Sequence, residues 1–397
     1  MDDSMDVSNS DAGAQQLTRL TLDLRGTRFV IERDTLMNLP ESVLLCLFPN
    51  GLLLSKNQST YNHYQDHDTS EGQQDDDGDV YLVDFDPLCL TYVLSFFKQS
   101  QDDFYGTPSQ PGKYRPPNAN SPLGHHYQQS SADFADPNSA YAANQAGLGQ
   151  NPLLSKQAII VLREELEYFA IPPKSNRNNK LSTDPSSGQP TQALLNLKQA
   201  CGKALLERKQ IFTALQRNVN KENNLAEQHL IDMLCMSGFD REDTWGFRAV
   251  EPNRCCITSI ALVLLKTGIT HTGELEAAGI DPEALAQSLA TAQDDDGNTS
   301  VHQGMRIDHH QLATAQKLLL FWRKPARKCW WDGVDIVLPH PKGKAPDSEE
   351  TPTSSAVDDT SPDAGMTEEE REMLKNGTGR KVRVWARRVW TLELSLI

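Results

Sequence analysis

The sequence predicts an α+β protein: an N-terminal module of mixed strands and helices, followed by a mainly helical C-terminal domain closed by a β-hairpin. Three observations carry this. Apolar residues alternate with polar ones near both ends of the chain, at Leu20, Leu22 and Leu24 and again at Val382, Val384 and Ala386, the period of a half-buried strand. Between them, apolar residues recur at helical spacing over 191–237 and 309–324. The acid is unevenly placed: of a net charge of −16 over 397 residues, segments 1–16, 57–79 and 341–372 carry −4, −7 and −7, which leaves the rest near neutral. With 38% apolar residues and a mean hydropathy of −0.54, the composition fits folded modules interrupted by polar, unfolded segments.

Taken in order, residues 1–16 read as a disordered acidic tail. Leu20, Leu22 and Leu24 form a strand, Arg25-Gly26-Thr27 a tight turn, and Phe29 and Ile31 the returning strand. Pro40-Glu41 opens a helix that buries Val43, Leu44 and Leu47 and stops at Pro49-Asn50-Gly51. Leu52–Leu54 reads as a short strand, 55–79 as a solvated insertion, and Val80–Val83 as a strand. Asp86 caps a helix over 87–98, with Pro87 at its first position and Leu90, Val93, Leu94 and Phe97 inward. Residues 101–150, rich in Pro, Gly, Asn, Ser and Gln, read as disordered. A helix is expected at Ala158, Leu162, Leu166 and Phe169, spaced 4, 4 and 3 apart and stopped by Pro172-Pro173.

A linker covers 173–190, which sets the first module at 17–172 and the second domain at 191–397. A long helical stripe follows through Leu194, Leu197, Cys201, Leu205, Phe212, Leu215 and Val219, with a break near 218–224 and a stop at Ser237-Gly238. Its short extent and Gly202 favour core over a coiled-coil surface. Further helices are expected near 257–267, 282–291 and 309–324, the last capped by Asp308. Val334, Ile336 and Leu338 and then 381–397 alternate as two strands that pair across the acidic insertion 341–372, where Thr367 and Glu370 form a capping box.

The first module resembles the tetramerisation-type BTB/POZ domain of KCTD proteins and potassium-channel cytoplasmic domains. The matching residues are Leu22-Asp23-Leu24-Arg25-Gly26-Thr27-Arg28-Phe29, Asp34-Thr35-Leu36, Pro40-Glu41-Ser42 and Leu47-Phe48. Val80 to Pro87, including Asp84 and Asp86, is similar to the family's strand, acidic turn and helix start, and Arg163 to Pro172, including Tyr168 and Phe169, to its closing helix. Arg25 stands where the family usually has the first glycine of a Gly-Gly turn. The whole chain resembles the fungal Whi-type general-stress-response regulators, through the order of its parts and through Cys329-Trp330-Trp331-Asp332 and Val389 to Leu396. That resemblance implies a non-enzymatic adaptor that binds and activates a plasma-membrane-associated phosphatase of the aspartate-nucleophile type. Such a protein promotes the stress response and restrains growth signalling when nutrients are scarce, and associates with itself or with partners through the BTB module. The KCTD side implies the alternative, a substrate adaptor of a cullin-type ubiquitin ligase.

No run approaches the roughly 18–20 apolar residues of a membrane span, so the expected location is cytoplasmic, reaching the plasma membrane only through a partner. Seven cysteines without C-x-x-C spacing read as reduced thiols. The acidic balance disfavours nucleic acid, which needs a basic face. No phosphate loop, nucleophile elbow or H-E-x-x-H occurs, so neither catalysis nor a cofactor is expected. Asp84-x-Asp86 resembles an aspartate-nucleophile pair only superficially. Cys255-Cys256 reads as structural, with His302, His309, His310 and Cys329 as an alternative metal set. Asp75–Asp79 and Asp294–Asn298 lack the Gly and Glu of a calcium loop and read as solvated. The remaining candidate is the basic cluster Arg380, Lys381, Arg383, Arg387 and Arg388 with Trp385 and Trp390. It reads either as an edge strand protected by charge or as a docking surface for an acidic partner, masked when the 341–372 segment folds over it.

Overall fold

A computed structural model describes residues 19–49, 80–116, 151–170, 187, 189–222, 224–291, 298–340 and 366–397. The expectations for 1–16, Leu52–Leu54, 55–79, 117–150, Asp294 and 341–365 lie outside these residues. The chain divides into two compact units, Met1–Pro87 and Leu88–Ile397.

In the first unit β1 (Arg19–Leu24) and β2 (Thr27–Glu32) form the expected hairpin, and β3 (Val80–Val83) pairs parallel to β1, giving the order β2-β1-β3. The turn places both Arg25 (φ 50°) and Gly26 (φ 89°) in the left-handed region, as a two-residue hairpin that follows the strand twist requires. Glycine does this freely, whereas an arginine there costs about 1 kcal/mol or more. Two contacts hold the turn: Arg25 Nε donates to Asp84 Oδ1 at 2.7 Å, and the Gly26 N–H donates to Asp23 Oδ1 at 2.7 Å. Short helices α1 (Arg33–Met37) and α2 (Glu41–Leu47) bury Leu36, Val43 and Leu47.

In the second unit α3 (Pro87–Tyr105) runs past its expected end, and a small hairpin of β4 (Gly106–Thr107) and β5 (Gln110–Pro111) follows, so the polar insertion begins later than residue 101. The organising element is a five-stranded antiparallel sheet of β6 (Ala158–Ala170), β7 (Phe247–Val250), β8 (Cys256–Leu264), β12 (Ala326–Pro339) and β13 (Gly379–Leu396), in the order β12-β13-β6-β8-β7. A second, three-stranded sheet joins β9 (Ile269–Thr270), β10 (Thr299–His302) and β11 (Met305–Asp308).

Two of these strands correct the sequence reading. Residues 158–169 and 257–267 were expected to be helical and instead form β6 and β8, so the domain is not mainly helical with one closing hairpin. Spacings of four fit a helix, but four is also even, so Ala158, Leu162 and Leu166 share one face of a strand equally well. Only Phe169 discriminates, and it lies on the opposite face, 52% exposed. Both strands are covered on both faces over much of their length, which erases the alternation that marks a half-buried strand. The segment matched to the family's closing helix is therefore the central strand of the second unit.

The expected pairing of the two C-terminal strands is present, from Ala326 opposite Leu392 to Pro339 opposite Gly379. The long helical stripe is three helices, α4 (Gln192–Glu207), α5 (Thr213–Glu222) and α6 (Leu225–Ser237). Beyond them lie α7 (Thr272–Ala277), α8 (Pro282–Thr291), α9 (His309–Trp322) and α10 (Glu368–Lys375). Asp308 caps α9 by accepting from the Gln311 N–H, and the Thr367–Glu370 capping box opens α10. One face of the sheet holds two separate apolar clusters. Leu197, Cys201 and Leu205 of α4 pack on Leu166, Val334 and Val384. Leu215, Ile231, Leu234, Leu312 and Trp322 of α5, α6 and α9 pack near Leu162, Trp390 and Leu392. Each such buried aliphatic contributes roughly 1.5–3 kcal/mol.

Candidate functional site

The basic cluster expected at 380–390 lies on β13, and the alternation of a strand divides it. Lys381, Arg383, Trp385 and Arg387 turn to one face; Arg388 and Trp390 turn to the other, with Val384 and Ala386 in the core. β13 pairs with β12 on one side and β6 on the other. The edge-strand reading is corrected for Arg387 and Arg388, which lie where β13 is interior; Arg380, Lys381 and Arg383 precede Val384, where its pairing with β6 starts.

On the inner face a polar diagonal crosses all five strands between the two apolar clusters. Asp332 on β12, Arg388 on β13 and Glu164 on β6 are each offset by two residues from the next, and Glu164, Ser259 on β8 and Arg248 on β7 lie directly opposite one another. Glu164, 1% exposed, sits at its centre. Its Oε2 accepts from Arg388 Nη1 at 2.7 Å and Trp390 Nε1 at 2.9 Å, and its Oε1 from Arg248 Nη1 at 3.1 Å. Burial alone would raise the Glu164 carboxyl, but the two guanidiniums and the indole N–H outweigh it and hold the carboxyl below its ordinary range. Two arginines from the helical layer join the diagonal. Arg217 of α5 donates to Asp332 Oδ2 at 2.9 Å, and Arg208, between α4 and α5, donates to Glu370 Oε1 at 2.9 Å. Burial pushes Arg217 and Arg248 down, and the neighbouring Arg388 adds to this.

On the outer face the same strands carry an exposed aromatic group. Trp385 lies opposite Phe169 and Gly333, and Arg387 between Trp331 and Glu167. Trp331 and Trp385 are 58% and 44% exposed, and the Phe169 and Trp331 rings lie 5.9 Å apart. Arg387 Nη1 donates to Glu167 at 3.0 Å and Arg383 Nη1 to Asp335 at 2.8 Å. Tryptophan and arginine on an open face, rimmed by polar pairs, make the composition of an interface hot spot. Trp331 was not among the expected site residues; the signal that finds it is its register opposite Arg387.

The other expected residues fall elsewhere. Gly26, Phe29, Asp84 and Asp86 lie in the first unit, where Asp84 pairs with Arg25 and Asp86 approaches it at 4.0 Å, while Pro87 begins α3. Tyr168 is buried against Gly202 of α4, and burial pushes its hydroxyl up to about 12. All seven cysteines are free thiols, Cys256 is buried, and Arg380 stands half-buried at the start of β13. Among the described residues no group of three or more His, Cys, Asp or Glu is placed to hold a metal ion. His309 Nε2 meets Ser300 Oγ at 2.8 Å instead.

No protein-family model matches the chain, and no solved structure matches it. Two fungal proteins are similar to it along almost its whole length. A WHI2-like protein of Schizosaccharomyces pombe is 29% identical over 375 residues, covering 94% of this chain and 86% of that protein. A protein named growth regulation protein, from Saccharomyces cerevisiae, is 28% identical over 470 aligned positions, covering 95% of this chain and 90% of its own length. By sequence, then, the chain is similar from end to end to fungal proteins of the WHI2-like, growth-regulating kind.

Proposed function

We propose that this protein is a non-enzymatic adaptor in growth regulation, acting in the response to stress and nutrient limitation by binding and activating a plasma-membrane-associated phosphatase of the aspartate-nucleophile type. The observation that carries the growth-regulating role is the similarity to the two fungal proteins over 94% and 95% of this chain. The outer face of β13 supplies a docking surface of suitable chemistry, with Trp331, Trp385 and Phe169 as anchors and Arg383 and Arg387 as orienting charges. The N-terminal unit serves self-association in the manner of a BTB/POZ module. Membrane location is borrowed from the partner, since no helix among the described residues is long and apolar enough to cross a membrane.

The test is affinity capture with the tagged full-length chain from stressed cells, beside the double variant Trp331→Ala/Trp385→Ala. The wild-type chain is expected to return an aspartate-nucleophile phosphatase, and the variant, with an unchanged unfolding midpoint, to lose it. Capture that returns no phosphatase overturns the assignment. Recovery of a cullin in its place moves the reading to the ubiquitin-ligase adaptor.

A further inference from the structure

Where the polar diagonal meets α5, a small cleft is lined by Arg208, Arg217, Arg248 and Arg388, with Gln210 just before the helix and Thr213 at its start. Four guanidiniums meet there, and their ion-pair partners are three carboxylates, Glu164, Asp332 and Glu370. The nearby Asp335 carboxylate pairs with Arg383 on the other face and acts on Arg217 only through space, and Asp335 offers Arg208 its backbone carbonyl. The cluster thus holds one more buried cation than anion, a costly arrangement unless an anion joins it. The hydrogen bonding shows the same deficit. Nε of Arg208, Arg217, Arg248 and Arg388 are all buried without a hydrogen-bond partner, that of Arg388 facing Asp332 Oδ2 only at 3.9 Å, on side chains that are 16%, 12%, 6% and 9% exposed. Buried donors are almost always satisfied, so four orphans around one cleft mark a ligand position. The first turn of the ten-residue α5 lines the same cleft at Thr213 and Ala214 and brings the positive end of its dipole.

We propose that this cleft binds a single phosphate-type oxyanion, either free inorganic phosphate or the phosphate of a small monoester. Planar guanidinium forks match the oxygens of such a group in pairs, and a doubly charged anion turns the local excess of positive charge into a small excess of negative charge. The bound group ties β7 and β13 to α5 and to the α4–α5 link, so occupancy stiffens the contact between the sheet and its helical cover.

The test is titration of the full-length chain with inorganic phosphate at fixed ionic strength, read by phosphorus-31 line broadening and by the thermal unfolding midpoint, with chloride as the control salt. Saturable broadening with a rise in midpoint that chloride does not give is the expected result, with sulfate displacing the phosphate. Phenyl phosphate distinguishes the sources: displacement of bound phosphate means that monoesters enter, and failure to displace means that the site takes the free ion. Arg217→Gln is expected to weaken phosphate at least tenfold, while Arg383→Gln, on the other face, leaves it unchanged. Thr213→Glu, which places a carboxylate at the cleft where a helix start favours one, is expected to fold and abolish the response. A response that does not saturate, one that chloride reproduces, or unchanged affinity in whichever of the Arg217→Gln and Thr213→Glu chains folds overturns the proposal.

Discussion

The two faces of β13 carry the same residue types under opposite conditions. Inside, Arg388 and Trp390 both donate to one carboxylate, Glu164, and all three side chains are buried. Outside, Arg387 and Trp385 sit beside Glu167 and Phe169 and remain partly in solvent. Sequence neighbours are thus separated by the pleat into a structural role and an exposed one. An ion pair taken out of water depends on its partner, because losing one member leaves an uncompensated charge; an exposed pair depends on it very little.

The sharpest break of this comparison is Glu164→Ala, which strands Arg388 and Arg248 in the core. A loss of about 3–5 kcal/mol is expected, measured by urea unfolding with an unchanged slope. A loss no greater than that of a surface substitution would mean that the diagonal does not hold the sheet together. Acid acts on the same group more gradually. Glu164 is held below its ordinary value in the folded chain, so its contribution is fully present above the unfolded carboxylate value and is lost as pH falls through the folded one. Stability is therefore expected to decline below about pH 4, and Glu164→Gln to flatten that decline while lowering stability at neutral pH.

The next effect concerns how closely the helical cover approaches the inner face. A Cβ on Gly202 would collide with the hydroxyl of Tyr168, whose ring is buried. Gly202→Ala is expected to cost about 1–3 kcal/mol as overpacking, whereas an alanine at an ordinary helical position improves propensity. The unfolding midpoint decides the sign.

These positions also show how far the sequence was legible. Where one face of a strand meets water, as at Leu20, Leu22 and Leu24 or Val382, Val384 and Ala386, alternation located the strand within a residue or two. Where both faces are covered, as in β6 and β8, the pattern dissolved into apolar runs at spacings compatible with a helix. The capping signals of Asp308 and Thr367 were read correctly because they depend on one or two side chains and the local backbone alone. The basic cluster was visible as composition, but its division was not drawn, although Arg388 shares the parity of Val384, Ala386, Trp390 and Leu392. The partners that define the buried diagonal come from five strands and two helical segments far apart in sequence, and only the sheet register brings them together.

On the outer face the expected effects pass from stability to binding. Trp331→Ala/Trp385→Ala is expected to lower affinity for the captured phosphatase at least tenfold, the scale of interface anchors. Its effect on the unfolding free energy should be far smaller than that of Glu164→Ala. Isothermal titration with the purified partner, beside urea unfolding of the same chain, separates the two quantities.

The smallest effect is the most discriminating control. Arg383→Ala removes a well-formed pair with Asp335, 2.8 Å long and with both side chains 42% exposed, geometrically as good as the buried pair of Arg388 with Glu164. Solvent screens it, and the two side chains regain freedom when it is broken, so stability should change by roughly 0–1 kcal/mol. The charge still steers an acidic partner, so the association rate should fall and its salt dependence weaken while the dissociation rate stays the same. Stopped-flow binding at low and high salt reads this directly. A large stability loss would place Arg383 with the inner face in its energetics despite its exposure, and the division of β13 into a structural and a docking side would fail at the residue where the two are closest.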